Sequence, residues 1–239
     1  MVKIGLITDI HNNIVALSAM LETLTAENCD KIICCGDIIG IGPYPEQTVQ
    51  RVMKIRGLLA VKGNHDRYLT EGMPGKFPNE EAMSFSEMEH HKWEHRLLSK
   101  QSINFLDSLP YRIDVEFEKM RFTALHYAMD ENGNYTKSRQ TEDLDIIFSN
   151  VDADVIIYGH EHEPAVHKIE GKLYINCGSL GCPSKDKNIA RGGILTVQNG
   201  SASFEYINTP YDVESVLREI DRINYPDAQL IKKVFYGTL

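Results

Sequence analysis

Five apolar runs in this chain each end in side chains of the kind that bind metal ions. The first run, residues 2–8, ends at Asp9, with His11 two residues on. Ile32 to Cys35 leads into Gly36-Asp37, and Leu58 to Val61 leads into Gly63-Asn64-His65-Asp66. The run 121–126 closes on His126, and 154–158 closes on Gly159-His160-Glu161-His162. Such short β-branched runs read as buried strands. In a doubly wound sheet, ligands gather outside the carboxyl ends of the strands. Taken singly, an Asp after a strand is a common helix cap and a lone His is usually an ordinary residue. Five of them at matching strand ends point instead to one polar site.

Between these strands the pattern switches to a helical period. Ile14, Leu17, Leu21 and Leu24 share one face, and Pro43 and Pro45 open a helix near 46–55. The resulting β-α-β-α-β order implies a parallel sheet covered by helices. The regularity breaks at residue 67. Residues 67–110, with a His/Glu-rich helical stretch around 80–108, are too long for a plain connection and predict a helical insertion that serves as a lid. Strands are predicted at 111–117 and 121–126, a helix around 141–149, and a strand at 154–158. Paired runs follow at 164–169 with 172–176 and at 193–198 with 201–206, the second around an Asn199-Gly200 hairpin turn. A surface helix over 211–223 and a tail with Tyr225, Val234, Phe235 and Tyr236 end the chain, so 211–239 reads as a carboxy-terminal helix and tail. The tail suits either packing or a homo-oligomer contact. One domain spanning 1–239 accommodates all of this.

Lys+Arg 25 against Asp+Glu 34 gives a net charge of −9, a poor fit to general nucleic-acid binding, which needs a basic face. No window approaches the roughly 18 apolar residues of a membrane span. The amino terminus lacks the pattern of a signal peptide. Five cysteines without framework spacing read as reduced thiols, so a cytoplasmic protein is expected.

The ordered set Asp9/His11, Gly36/Asp37/Gly40, Gly63/Asn64/His65/Asp66, His126 and Gly159/His160/His162 resembles the calcineurin-like metallophosphoesterases, over residues 1 to about 207. Asp9-Ile-His-Asn-Asn13, Gly42-Pro-Tyr-Pro45 and Asn176-Cys-Gly-Ser179 are similar to segments of the compact bacterial branch of that superfamily. The resemblance implies an α/β fold, a four-layer α/β/β/α sandwich, around a two-metal centre. It implies that Asp9, His11, Asp37 and His162 hold one ion and that Asn64, His126 and His160 hold the other, with Asp37 bridging. Imidazole, carboxylate and amide donors suit Mn, Fe, Zn or Ni, with Mn favoured, more than Ca or Mg. Two divalent ions less two carboxylates leave about two positive charges, a match for a small phosphate ester as substrate. The implied reaction is hydrolysis of a phosphodiester by a metal-bridging hydroxide. A phosphomonoesterase acting on nucleotides or phosphoproteins is the alternative. A non-catalytic scaffold, like the retromer subunit that resembles these enzymes, is a third reading.

His65, between Asn64 and Asp66, is the expected catalytic group. Family members use the matching His to assist the leaving group or the phosphoryl oxygens, with Asp66 here expected to orient the ring. Asn13 is expected to touch a phosphate oxygen or to cap the 14–27 helix, since its amide suits both. Arg191 is a second phosphate candidate, with a surface salt bridge as its alternative. Three departures from the family pattern stand out: Asn12 in place of Gly, Tyr127 where small residues are common, and Ser184-Lys185 where relatives often carry an Arg. Tyr127 is expected to narrow the pocket or stack on a substrate. His91-x-x-Glu94-His95 fits an inverted zinc-peptidase pattern, but the helix is rich in His and Glu throughout and reads better as a solvated face. Cys177-Gly-Ser179-Leu-Gly181 lacks the first Gly of a nucleophile elbow and reads as a turn.

Overall fold

The computed structural model describes residues 1–78, 83–131, 133–136, 143–183 and 185–237. Strand β1 (Val2–Ile7) is followed by α1 (Ile14–Ala26), β2 (Lys31–Cys34), α2 (Pro45–Val52), β3 (Leu58–Ala60) and α3 (Asn64–Thr70). Helices α4 (Phe85–His95) and α5 (Lys100–Asp107) lead to β4 (Arg112–Phe117) and β5 (Met120–Leu125). Then come α6 (Leu144–Ile147), β6 (Val155–Tyr158), β7 (Ala165–Ile169) and β8 (Lys172–Asn176). The hairpin β9 (Ile189–Gln198) and β10 (Ser201–Pro210) precedes α7 (Val213–Arg222) and α8 (Ala228–Tyr236).

The strands form two five-stranded sheets, ordered β10-β9-β1-β2-β3 and β4-β5-β6-β8-β7. In the first, β1, β2 and β3 run parallel and β9 pairs antiparallel with β1. In the second, β5, β6 and β8 run parallel, with β4 and β7 antiparallel at the edges. Strand alternation explains the layering. Ile4 and Leu6 of β1 meet Val155 and Ile157 of β6 in an apolar layer between the sheets. Ile7 faces the other way, toward Leu17, Met20 and Leu24 of α1. Ile156 and Tyr158 of β6 point outward to Leu144 and Phe148. Sheets packed face to face with helices outside give the four-layer α/β/β/α sandwich that the resemblance implies.

Some boundaries differ from the sequence reading. The single helical stretch expected over 80–108 is two helices, because Ser99 caps α5 by accepting a hydrogen bond from the Ser102 amide (3.2 Å). The β9–β10 hairpin is longer than expected, and Asn199 and Gly200 both hold positive φ at its turn, as a type I′ turn requires. Of the helix expected around 141–149, residues 141–142 lie outside the described residues, as does Ser184. The tail packs: Tyr225 and Tyr236 are buried, while Val234 stays exposed. All five cysteines are free thiols, four of them buried. No described helix is long and apolar enough to cross a membrane.

Candidate metal centre

Five parallel strands, three in one sheet and two in the other, deliver the site at their carboxyl ends. Asp9 follows β1, Asp37 follows β2, Asn64 follows β3, His126 follows β5, and His160 and His162 follow β6. The turns there are unusually tight. Asp9, His11, Asp37, His160 and His162 all hold left-handed backbone, with φ of +52°, +48°, +51°, +72° and +56°. Each non-glycine residue in that region costs about 1–3 kcal/mol, so the surrounding structure must impose it. Part of that constraint is visible. The Ser179 hydroxyl donates to the Asp9 carbonyl (2.8 Å), and the Leu180 and Gly181 amides donate to the carbonyls of Thr8 and Asp9 (3.0 Å each). Asn176 donates to the Gly159 carbonyl (3.1 Å). The Cys177–Gly181 segment is therefore a clamp on the first and sixth strand ends, in keeping with its reading as a turn. Gly159 is required there, because a Cβ would lie 2.1 Å from the Thr8 hydroxyl.

Two groups of donor atoms result. His11 Nε2 and His162 Nε2 lie 2.9 Å apart, and Asp9 Oδ1 is 3.4 Å from His162 Nε2. Asn64 Oδ1 is 2.9 Å from His126 Nε2 and 3.2 Å from His160 Nδ1. Asp37 Oδ2 stands between the groups, 3.3 Å from His126 Nε2 and 3.9 Å from His11 Nε2. All seven expected ligand positions thus come together. Asp9, His11, Asp37, Asn64 and His126 are buried, and the two other histidines are partly so.

The hydrogen-bond chemistry of these donors calls for a cation. His126 Nδ1 faces the Cys35 carbonyl at 2.7 Å, and a carbonyl can only accept. Nδ1 therefore carries the ring hydrogen, and in the neutral ring Nε2 turns a lone pair toward Asn64 Oδ1 and Asp37 Oδ2. Lone pairs this close repel unless a proton or a metal ion lies among them. Asp9 Oδ1, buried, has no hydrogen-bond partner among the described residues. The donor set fits borderline first-row ions.

Without an ion, protons must do this work. Burial lowers the pKa of His126, but the charge and hydrogen bond of Asp37 outweigh it and lift the ring to about 9. Burial also opposes ionisation of Asp9, yet His162 holds that carboxyl well below the usual range. Asp37 is likewise held down, mainly by His126 and His65 against burial. Burial lowers His11 to about 4, helped by the charge of His162, and lowers His160 to about 4, helped by His126.

His65 sits beside the donors: its amide donates to Asp37 Oδ1 (2.9 Å) and its ring stands edge-on to His11 at 4.9 Å. Asp66 does not orient it. The Asp66 carboxylate accepts from the backbone amides of Ile38 (3.1 Å), Ile39 (3.2 Å) and Gly63 (2.9 Å), tying the β2 turn to the start of α3. Asn13 is committed to the capping alternative. Its Oδ1 accepts from the Ala16 amide and its Nδ2 donates to the Gly181 carbonyl, both at 3.0 Å. Arg191 takes the salt-bridge alternative, reaching Asp186 at 3.1 Å. Tyr127 is buried among Phe148 and Tyr158 with one face toward His160, so it lines the outer core rather than a pocket.

The α4 histidine-glutamate stretch is also corrected. His90, His91 and Glu94 are buried, not solvated. Asn12 Nδ2 donates to Glu94 Oε2 at 2.5 Å, and the His91 ring lies 4.8 Å from that of His65. The sequence reading also missed Thr8, whose hydroxyl donates to Asp9 Oδ2 (2.6 Å), and the Cys35 carbonyl that fixes the His126 tautomer. Proximity of Thr8 to Asp9 in the chain was the available signal for the first. A backbone carbonyl leaves no signal in sequence.

Comparison with known proteins agrees with this geometry. The calcineurin-like phosphoesterase superfamily domain matches residues 2–200, and the chain belongs to that superfamily. An uncharacterized protein of Methanocaldococcus jannaschii is 29% identical over 251 residues, covering 98% of each chain. A phosphodiesterase of the same archaeon is 24% identical over 187 residues, covering 76% of this chain and 89% of its own. The crystal structure of a metallophosphoesterase from Sphaerobacter thermophilus superposes with a TM-score of 0.76 at 22% identity, covering 99% of both chains.

Proposed function

We propose that this phosphoesterase is a dinuclear metal-dependent phosphodiesterase. The observation that carries the reading is the pair of donor groups joined by one carboxylate oxygen, Asp37 Oδ2. Asp9, His11, Asp37 and His162 would hold one ion, and Asp37, Asn64, His126 and His160 the other. Ions bound there polarise a phosphoryl oxygen and lower the pKa of water toward ~7. The protein's own contribution is rigidity and charge. The left-handed turns and the Ser179 clamp fix the donors before any ligand arrives. Two carboxylates against two divalent ions leave a positive hole in an acidic chain, which favours an anionic ester.

His65 is the group left over for substrate. Burial holds its pKa well below the ordinary histidine value, against the pull of Asp37, so the free enzyme presents a neutral ring. That ring can donate a hydrogen bond to a phosphoryl or leaving oxygen and accept more positive charge once a phosphate anion lies beside it. The diester preference is supported by the M. jannaschii phosphodiesterase relative.

Elemental analysis, paired with hydrolysis of bis-p-nitrophenyl phosphate and p-nitrophenyl phosphate with and without Mn, tests the proposal. Metal-dependent turnover with the diester preferred supports it. A monoester preference moves the assignment to a phosphomonoesterase. Loaded protein without turnover on either ester favours the scaffold reading. His65→Ala is expected to keep the ions of this centre and lose about 10²–10⁴-fold in kcat.

A further inference from the structure

Helix α4 carries a second convergence of metal-binding side chains. His91, Glu94 and His95 occupy positions i, i+3 and i+4, which share one helix face. One donor atom from each lies within 4.8 Å of the others. His91 Nδ1 is 2.8 Å from Glu94 Oε1, and His95 Nε2 is 3.8 Å from the same oxygen. An ion bound at about 2.0–2.2 Å spaces its donors by roughly 3–3.6 Å, so these separations bracket what a bound ion needs.

Three details separate this set from ordinary helix packing. Among the described residues, His95 Nε2 is buried without a hydrogen-bond partner. Glu94, fully buried, has its other oxygen, Oε2, held by Asn12 Nδ2 at 2.5 Å, which aims Oε1 at the two rings. Asn12 holds that position at φ +56°, a costly conformation for a residue with a side chain. A carboxylate ligand fixed through its second oxygen by an amide is the usual support of a metal site. His90, the neighbouring imidazole, is excluded because its Nε2 is engaged by the Gly40 carbonyl (2.9 Å) and the Tyr225 hydroxyl (2.7 Å).

We propose that His91, Glu94 and His95 form a third metal site, distinct from the dinuclear centre and suited to a zinc-class divalent ion. Two imidazoles and one carboxylate leave a coordination position open, as in sites that keep a water. The His65 ring lies between the two donor sets, 4.9 Å from the His11 ring and 4.8 Å from the His91 ring. An ion on α4 therefore fixes the ring packed against His65 and places added positive charge beside it. It also pins α4 to the turn after β1 through Asn12.

The site goes beyond the two-metal reading and is tested separately from it. Chelator-stripped protein is titrated with Zn or Co(II), and bound metal is counted by elemental analysis for the wild type, His91→Ala/His95→Ala and His95→Gln. The expected result is about three ions in the wild type and about two in both variants. A Asp9→Asn/His126→Ala variant, weakened at the dinuclear centre, is expected to keep one tightly bound ion, with the visible absorption of low-symmetry Co(II). Equal stoichiometry in the wild type and the α4 variants overturns the third site and leaves the dinuclear centre standing. One ion in the wild type and none in the α4 variants supports the α4 site while removing the dinuclear one. Circular dichroism of each variant identifies any that fails to fold, and the cobalt spectrum of the Asp9→Asn/His126→Ala protein then decides.

Discussion

Replacing Asp66 separates a structural carboxylate from a catalytic one. The side chain is fully buried and accepts three backbone hydrogen bonds, from Gly63, Ile38 and Ile39. Asp66→Ala leaves three amide donors facing a cavity. A buried donor left unpaired costs about 1–3 kcal/mol, and water entering the gap recovers part of it. The expected loss is about 4 kcal/mol. Asp66→Asn keeps one oxygen for Ile38 and Ile39 but turns an NH2 group toward the Gly63 amide, so about 2 kcal/mol is lost. For a chain of 239 residues, the alanine variant should melt roughly 10 °C lower. Urea unfolding gives the free energies, and a pH–rate profile gives the role. Because Asp66 makes no hydrogen bond to His65, the asparagine variant should keep the wild-type profile at reduced amplitude. A protein within about 1 kcal/mol of wild type that loses a hundredfold or more in turnover would refute the argument, since the carboxylate would then act in the reaction.

Two further outcomes follow from the same geometry. Gly63→Ala introduces a Cβ 2.1 Å from Asp37 Oδ1, so the bridging carboxylate must move, and metal affinity measured by competition with a chelator should fall about 10–100-fold. In chelator-stripped protein, burial keeps His11 and His160 near pKa 4 while the unfolded chain takes protons near 6.5. The unfolded state then binds more protons between those values, so stability rises with pH from about 4 to 6.5. His126, raised to about 9, works in the opposite sense, and its contribution is lost as pH climbs from 6.5 through 9. The melting temperature of the stripped protein should therefore peak near neutral pH, and a monotonic curve would contradict these assignments.

The strand ends were legible because two constraints meet there. A buried strand must be apolar, so the first polar side chain after it is conspicuous, and parallel topology sends those residues to one edge. Asp9, Asp37, Asn64, His126, His160 and His162 were all readable this way. Residues with two plausible partners were not. Asn13 and Asp66 have short polar side chains that satisfy backbone amides as well as they satisfy ligands, and only the position of those amides decides. The α4 face misled for a related reason. His and Glu at helical spacing look solvated until the turn after β1, with Asn12, is seen to cover them. The left-handed turns left no trace at all, because Asp and His stand where backbone geometry alone would favour glycine.

The division of the donors between two sheets has a consequence for how the protein is made. Asp9, Asp37 and Asn64 emerge early in synthesis, but His126, His160 and His162 belong to the second sheet, which closes only when β8 has paired with β6. The Ser179 clamp on Asp9 comes later still. A growing chain that has reached only β3 holds two carboxylates, one imidazole and an amide, a weak and solvated set. Filling of the dinuclear centre is thus a late event, reserved for chains whose second sheet is in place, and a product ending before residue 160 would lack two of its seven donor side chains, His160 and His162.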